Sequence, residues 1–200
     1  MNKENAIETI DYKGHTIGLF YDQDPESPRE WDNLGTIYSN SKRYSPDGKG
    51  IEELMEMAGQ SRYDEVIDFK AIRKKFYCLK IWIYDHSGQT VRTGETNPWG
   101  NMGYMSWDSG LFGAIAVSKE KAKKEYGYKR ACKGLEKKVL SCLEAEVKTF
   151  DCFVTGEIYS YVVENEQGEE IDSCCGWYDR EEAINEAKGM VDYVVDKKVN

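Results

Sequence analysis

A chain of 200 residues, 40 % hydrophobic and 32 % charged, is long enough to bury a core, and at 12 % aromatic it is too rich in rings to stay disordered. A formal net charge of −9 lacks the basic footprint of a nucleic-acid binder and would be repelled by an anionic membrane surface. No run of about 18 apolar residues is present to span a bilayer, and the opening MNKENAIETIDYKG lacks the apolar stretch of a secretory signal, so a cytoplasmic protein is expected.

In chain order, residues 6–10 and 16–21 alternate around DYKGH and predict a β-hairpin, with His15 exposed in its turn. Residues 22–32 form a loop held extended before Pro25 and Pro28. Leu34–Ser39 reads as a short strand and NSKRYSPDGKG as turn chemistry. Helices are predicted from Ile51 to Ala58 and from Tyr63 to about Lys75. FYCLKIWIY at 76–84 is the clearest strand. It sends Tyr77, Leu79, Ile81 and Ile83 to one face and Cys78, Lys80, Trp82 and Tyr84 to the other. DHSG turns the chain into Gln89–Thr93, a second hairpin, and an irregular segment follows from Gly94 to Gly110. Leu111–Val117 is a buried strand, and Ser118 caps a short basic helix.

The stretch from about Lys129 to Thr149 repeats apolar residues at three and four, the spacing of one helix face. Strands are predicted at 156–164 and 169–177 around the turn NEQG. A last helix starts at Asp179, with Glu182 three positions on and Trp177 placed as a staple. The sum is an α+β fold: a mostly antiparallel sheet built from hairpins, with helices on one face, in a single domain spanning 1–200.

Six cysteines without a C-x-x-C pair, beside only His15 and His86, favour free thiols in a reducing compartment over a zinc site. Asp85, His86 and Ser87 are consecutive, but adjacent side chains point different ways and do not make a triad. The glycines fit neither a dinucleotide fingerprint nor a phosphate loop. The basic island of Lys119, Lys121, Lys123, Lys124, Lys129, Arg130 and Lys133 could touch phosphate, but such a run is more often a solvated helix face. In DQDPESPREWDN, Asp22, Asp24 and Glu26 alternate like the first ligands of a calcium loop. The sixth position, however, is Ser27 and the twelfth Asn33, where Gly and Glu are needed. No cofactor is expected, and a Mg²⁺ or Ca²⁺ would have to use those three carboxylates.

Two irregular segments carry the rest. Around ESPREWDNLGT, Arg29 can pair with a neighbouring carboxylate, Trp31 can plug the loop onto the core, and Asp32 can form an Asx-turn before Gly35, making a self-bracing loop. Trp and Arg are also the residue types that dominate interface energy, so the same loop reads as a binding surface. GETNPWGNMGYMSWDSG, with two Trp, one Tyr and two Met among its glycines, reads as an ordered recognition loop. Arg29, Trp31, Asp32, Trp99, Trp107 and Asp108 are therefore the candidate partner-binding residues.

SPREWDNLGT at 27–36, WDSGLFGAIAVSKEKAKKEYG at 107–127 and EVKTFDCFVTGEIYSYVVE at 146–164 resemble an uncharacterised family of proteins encoded by bacteriophages and other bacterial mobile elements. The likeness runs from about Tyr12 to Tyr193, with Pro46–Arg73 as a helical insertion. It implies no catalytic residue. It implies an accessory protein of phage or plasmid origin in the host cytosol, and the first expectation for such a protein, argued from its two Trp-bearing loops, is that it binds a host protein. The acidic charge suits a target with a basic nucleic-acid-binding surface, such as a defence complex, without direct contact to nucleic acid. The competing expectations are a metal-dependent phosphoesterase built on the clustered carboxylates and a nucleotide-binding sponge.

Overall fold

The computed structural model describes residues 5–199. The elements are β1 (Glu8–Tyr12), β2 (His15–Tyr21), β3 (Thr36–Ser39), β4 (Lys49–Gly50), α1 (Ile51–Ala58), α2 (Phe69–Lys75), β5 (Phe76–Asp85), β6 (Gln89–Thr93), β7 (Ser109–Ser118), α3 (Lys119–Glu125), α4 (Lys133–Thr155), β8 (Tyr159–Glu164), β9 (Glu170–Trp177) and α5 (Arg180–Val199). The fold is α+β and mostly antiparallel, as the hairpin pattern predicts. The sequence offers no domain boundary, yet the chain forms two compact units, each with its own sheet: 1–26 with 156–200, and 27–155.

Unit 1 holds a sheet in the order β1-β2-β8-β9, every neighbouring pair antiparallel. The first hairpin turns on Lys13 and Gly14, both with positive φ. Alternate residues Ile17, Leu19, Tyr161 and Val163 face one way and are buried against Ala183, Ile184, Ala187 and Val191 of α5. Asp179 caps α5 by accepting from the backbone N–H of Glu181 and Glu182 at 2.9 and 3.0 Å, and Trp177 packs on the same cluster as the sequence suggests. His15 departs from expectation. It is buried, and its Nδ1 lies 2.9 Å from the Lys13 carbonyl oxygen. The chain leaves this sheet after β2 and re-enters at β8, and at that point Asp22 N–H donates to the Ile158 carbonyl at 2.8 Å.

Unit 2 holds a sheet in the order β4-β3-β7-β5-β6. The alternation read in β5 is real. Tyr77 and Ile81 lie with Ile37, Ile115 and Val117 under Leu135, Val139, Leu143, Val147 and Phe150 of α4. Phe76 and Cys78 lie on the reverse with Tyr38, Ala114 and Ala116, under Ile51 and Leu54 of α1 and Ile72 of α2. Helices thus cover both faces of this sheet, where the sequence suggested one. At Gly113 the sheet closes tightly, since a Cβ there would sit 2.0 Å from the Tyr38 carbonyl oxygen.

Two helix boundaries differ from the sequence reading. α2 starts at Phe69 rather than Tyr63, because the Asp68 carboxylate accepts from Lys70 and Ala71 N–H and sets the cap there. Tyr63 and Val66 are exposed, so no apolar face would reward an earlier turn. α4 starts four residues later than expected and runs on to Thr155, where Gly156 at φ +74 ends it. No helix among the described residues is long and apolar enough to cross a membrane.

Candidate functional site

Residues 27–36 belong to unit 2 and brace themselves as the self-contained reading expects, but through distant partners. Ser27 Oγ accepts from Arg29 N–H and opens a short 3-10 turn at Pro28–Glu30. From that turn Arg29 points inward, its side chain 2 % exposed. Its Nε and Nη2 donate to Asp47 at 2.9 and 2.7 Å, its Nη1 donates to Glu146 Oε2 at 3.1 Å, and Nη2 also reaches the Gly35 carbonyl at 2.8 Å. Asp47 accepts in turn from Ile37 N–H, and Glu146 from Leu34 and Gly35 N–H. Burial works against the guanidinium charge. The hydrogen bond and charge of Asp47, then of Glu146, outweigh it and hold the pKa above its ordinary value.

This network makes Arg29 a structural clamp with no donor turned to a partner. Asn33 takes the local role assigned to Asp32, donating from Nδ2 to the Pro28 and Trp31 carbonyls. Asp32 is exposed, and Trp31 is 46 % exposed.

The loop 94–110 divides its aromatics between inside and outside. Trp99 is 3 % exposed, its ring 5.9 Å from that of Tyr84 and 5.5 Å from the Arg92 guanidinium. Asn97 holds it from both sides, accepting from Trp99 N–H at 3.0 Å and donating to Ser109 Oγ at 2.8 Å. Met102 N–H donates to the Trp99 carbonyl, and a short 3-10 turn at Gly103–Ser106 follows. Beyond it Asp108 ties the loop to the β5–β6 hairpin. Its carbonyl accepts from Asp85 N–H at 2.8 Å, and its carboxylate lies 3.1 Å from His86 Nδ1. On this footing the loop turns Met102, Tyr104 and Trp107 outward, with Tyr104 74 % and Trp107 89 % exposed.

Of the residues singled out in the sequence, Trp31, Asp32 and Trp107 therefore reach the surface, Asp108 is half-buried, and Arg29 and Trp99 are enclosed. Tyr104 and Met102 were missed. Only the turn at 103–106 decides that they face out while Trp99 faces in.

The two loops do not meet. Thr36 pairs with Ala116, and the Asn33 and Leu34 carbonyls accept from Lys121 Nζ beyond the end of β7. Trp107 lies just before β7 begins at Ser109. Seven positions at about 3.3 Å each put the loops roughly 20 Å apart at opposite ends of one strand.

Asp22, Asp24 and Glu26 lie in unit 1. The two Asp22 oxygens accept from Asp24 N–H and Gly176 N–H, at 3.2 and 3.0 Å. Among the described residues no three His, Cys, Asp or Glu side chains gather as a metal site requires.

The charge is divided as unevenly as the rings. Unit 1 carries 18 Asp and Glu against 6 Lys and Arg, a net −12, whereas unit 2 carries 18 against 21, a net +3. No family model, curated protein or solved structure matches this chain.

Proposed function

We propose that the protein is a non-enzymatic binder that grips a protein partner with the loop 94–110. The observation that carries this reading is Trp107, 89 % exposed on a loop fastened from beneath by buried Trp99. An indole left in water forgoes about 1.5–3 kcal/mol of burial that a partner would restore. Trp and Tyr are also the residue types over-represented among interface anchors. Because hydrogen bonds already order the loop, binding loses little further conformational entropy.

The net charge of −9 suits a partner with a basic surface and favours its approach. In the mobile-element setting implied by the resemblance, the partner is a host protein in the cytosol. A defence complex with a basic nucleic-acid groove is the target class that fits, and the protein acts as its inhibitor.

The test is capture from bacterial lysate with the wild type and with Trp107→Ala/Tyr104→Ala. The wild type is expected to retain a partner that the double variant loses while keeping a native circular dichroism spectrum. Equal retention by both proteins would overturn the assignment to this loop.

A further inference from the structure

Two stretches far apart in sequence bring basic residues to the same end of the unit 2 sheet. α2 carries Lys70, Arg73, Lys74 and Lys75 and no acid. Residues 118–138 carry nine Lys and Arg against Glu120, Glu125 and Glu136. Together the two stretches hold a net charge of +10. The sheet joins them: Phe76, which follows α2, pairs with Ser118, which precedes α3, and Lys119 Nζ donates to the Lys74 carbonyl at 3.0 Å. The first turns of α4 approach the same end of β5. Arg73 and Glu136 line one cleft of about 220 Å³ together with Phe76, Tyr77 and Leu79.

Part of this charge is engaged inside the protein. Arg73 pairs with Glu95, and Lys121 reaches two carbonyls. Lys70, Lys74, Lys124, Lys129, Arg130 and Lys133 are exposed and have no ion pair with a carboxylate among the described residues. Lys133 opens α4, where the helix dipole disfavours positive charge, and Lys129 and Arg130 precede it by four and three positions. Folding alone gives no reason for that placement.

We propose that this basic end of unit 2 binds nucleic acid through the phosphate backbone, without reading base sequence. Eleven of the thirteen cations are lysines. Lysine is depleted in protein–protein interfaces, whereas backbone neutralisation by counterion release needs only mobile cations. The overall −9 does not forbid this. At physiological salt the Debye length is about 8 Å, so a phosphate at the patch responds to the charges within about that distance far more than to a sum over the whole chain. The surface is separate from the Trp107 loop, which leaves the opposite end of β7.

The experiment is fluorescence anisotropy of a labelled DNA duplex of about 20 base pairs, and of the matching single-stranded RNA, titrated with the full chain over a salt series. Binding is expected to weaken steeply as salt rises. Lys124→Glu/Lys129→Glu/Lys133→Glu should weaken it by about tenfold or more. Lys42→Glu/Arg43→Glu/Lys49→Glu, an equal charge change at the far end of β3, should weaken it about twofold or less. Trp107→Ala should leave it unchanged, which keeps this outcome separate from that of the loop. No anisotropy change at low salt would overturn the proposal, as would equal losses in the two triple variants. Salt-sensitive self-association that the first triple variant abolishes, without nucleic-acid binding, would assign the patch to the acidic unit of a second copy instead.

Discussion

Arg29 and Glu146 lie 117 positions apart in sequence and meet at 3.1 Å, with Asp47 closing the other side of the same guanidinium. One side chain thus pins the entry loop, the turn before β4 and the middle of α4. A buried cation held between two carboxylates adds little over an apolar replacement of the whole set, but removing one member strands the others. Arg29→Ala is therefore expected to lower stability by about 3–5 kcal/mol in urea denaturation. Arg29→Lys should recover only part of that, since an ammonium cannot reproduce the two-pronged contact with Asp47. A loss below about 1 kcal/mol for the alanine variant would show the network to be idle.

Gly35 lies where the loop crosses α4. A Cβ there would meet Leu143 Cδ2 at 2.4 Å and Ile115 Cγ1 at 2.7 Å, both in the core. Gly35→Ala should cost about 1–3 kcal/mol by overpacking, read as a lowered melting temperature. Gly110→Ala, where a Cβ meets nothing within 4 Å, is the matched control and should be nearly neutral.

The two tryptophans of the recognition loop should behave oppositely. Trp99→Ala is expected to destabilise the fold by about 3–5 kcal/mol, and Trp107→Ala to stay within about 0.5 kcal/mol of wild type. Iodide should quench a red-shifted emission component that shrinks in Trp107→Phe, the remainder belonging to Trp31, which is also exposed. An undiminished component in that variant would place Trp107 out of water.

Burial pushes the Cys78 thiol up to about 12 from an ordinary 9.0. The Tyr126 hydroxyl also moves to about 12, from burial first and then from its bond to Cys142. Both groups are neutral in the fold and ionise more readily when unfolded. Their stabilisation is complete below pH 9.0 and is lost progressively as pH rises towards 12. Denaturation midpoints should therefore fall across that alkaline range. Ellman's reagent at neutral pH should consume the exposed Cys132, Cys174 and Cys175 first and reach Cys78 only on unfolding.

Much of the local structure was legible because its signals are local. The two-residue period of FYCLKIWIY, the turn at Lys13–Gly14 and the Asp179 cap each depend on neighbours within a few positions. Strand partners are not encoded that way. Nothing in the period of β2 says that it pairs with β8 across a long insertion, so two sheets read as one. The brace around Arg29 was legible as a need for carboxylates, but not as a choice of Asp47 and Glu146 among 36 acids. The distribution of charge was hidden for the same reason: a sum over the chain contains a −12 and a +3 that only the contacts separate.

The ladder bond between Asp22 N–H and the Ile158 carbonyl brings the two points where the chain departs and returns side by side. In chain order, residues 27–155 are an insertion between the paired strands β2 and β8. Replacing it with a tight turn would leave β1, β2, β8 and β9 as four successive strands of a meander followed by α5, with every strand neighbour and the apolar contacts of α5 retained. Such a miniature should fold by itself, which dispersed amide signals would reveal. The acidic frame would then be a carrier into which inserts of different specificity can be exchanged without redesigning the frame.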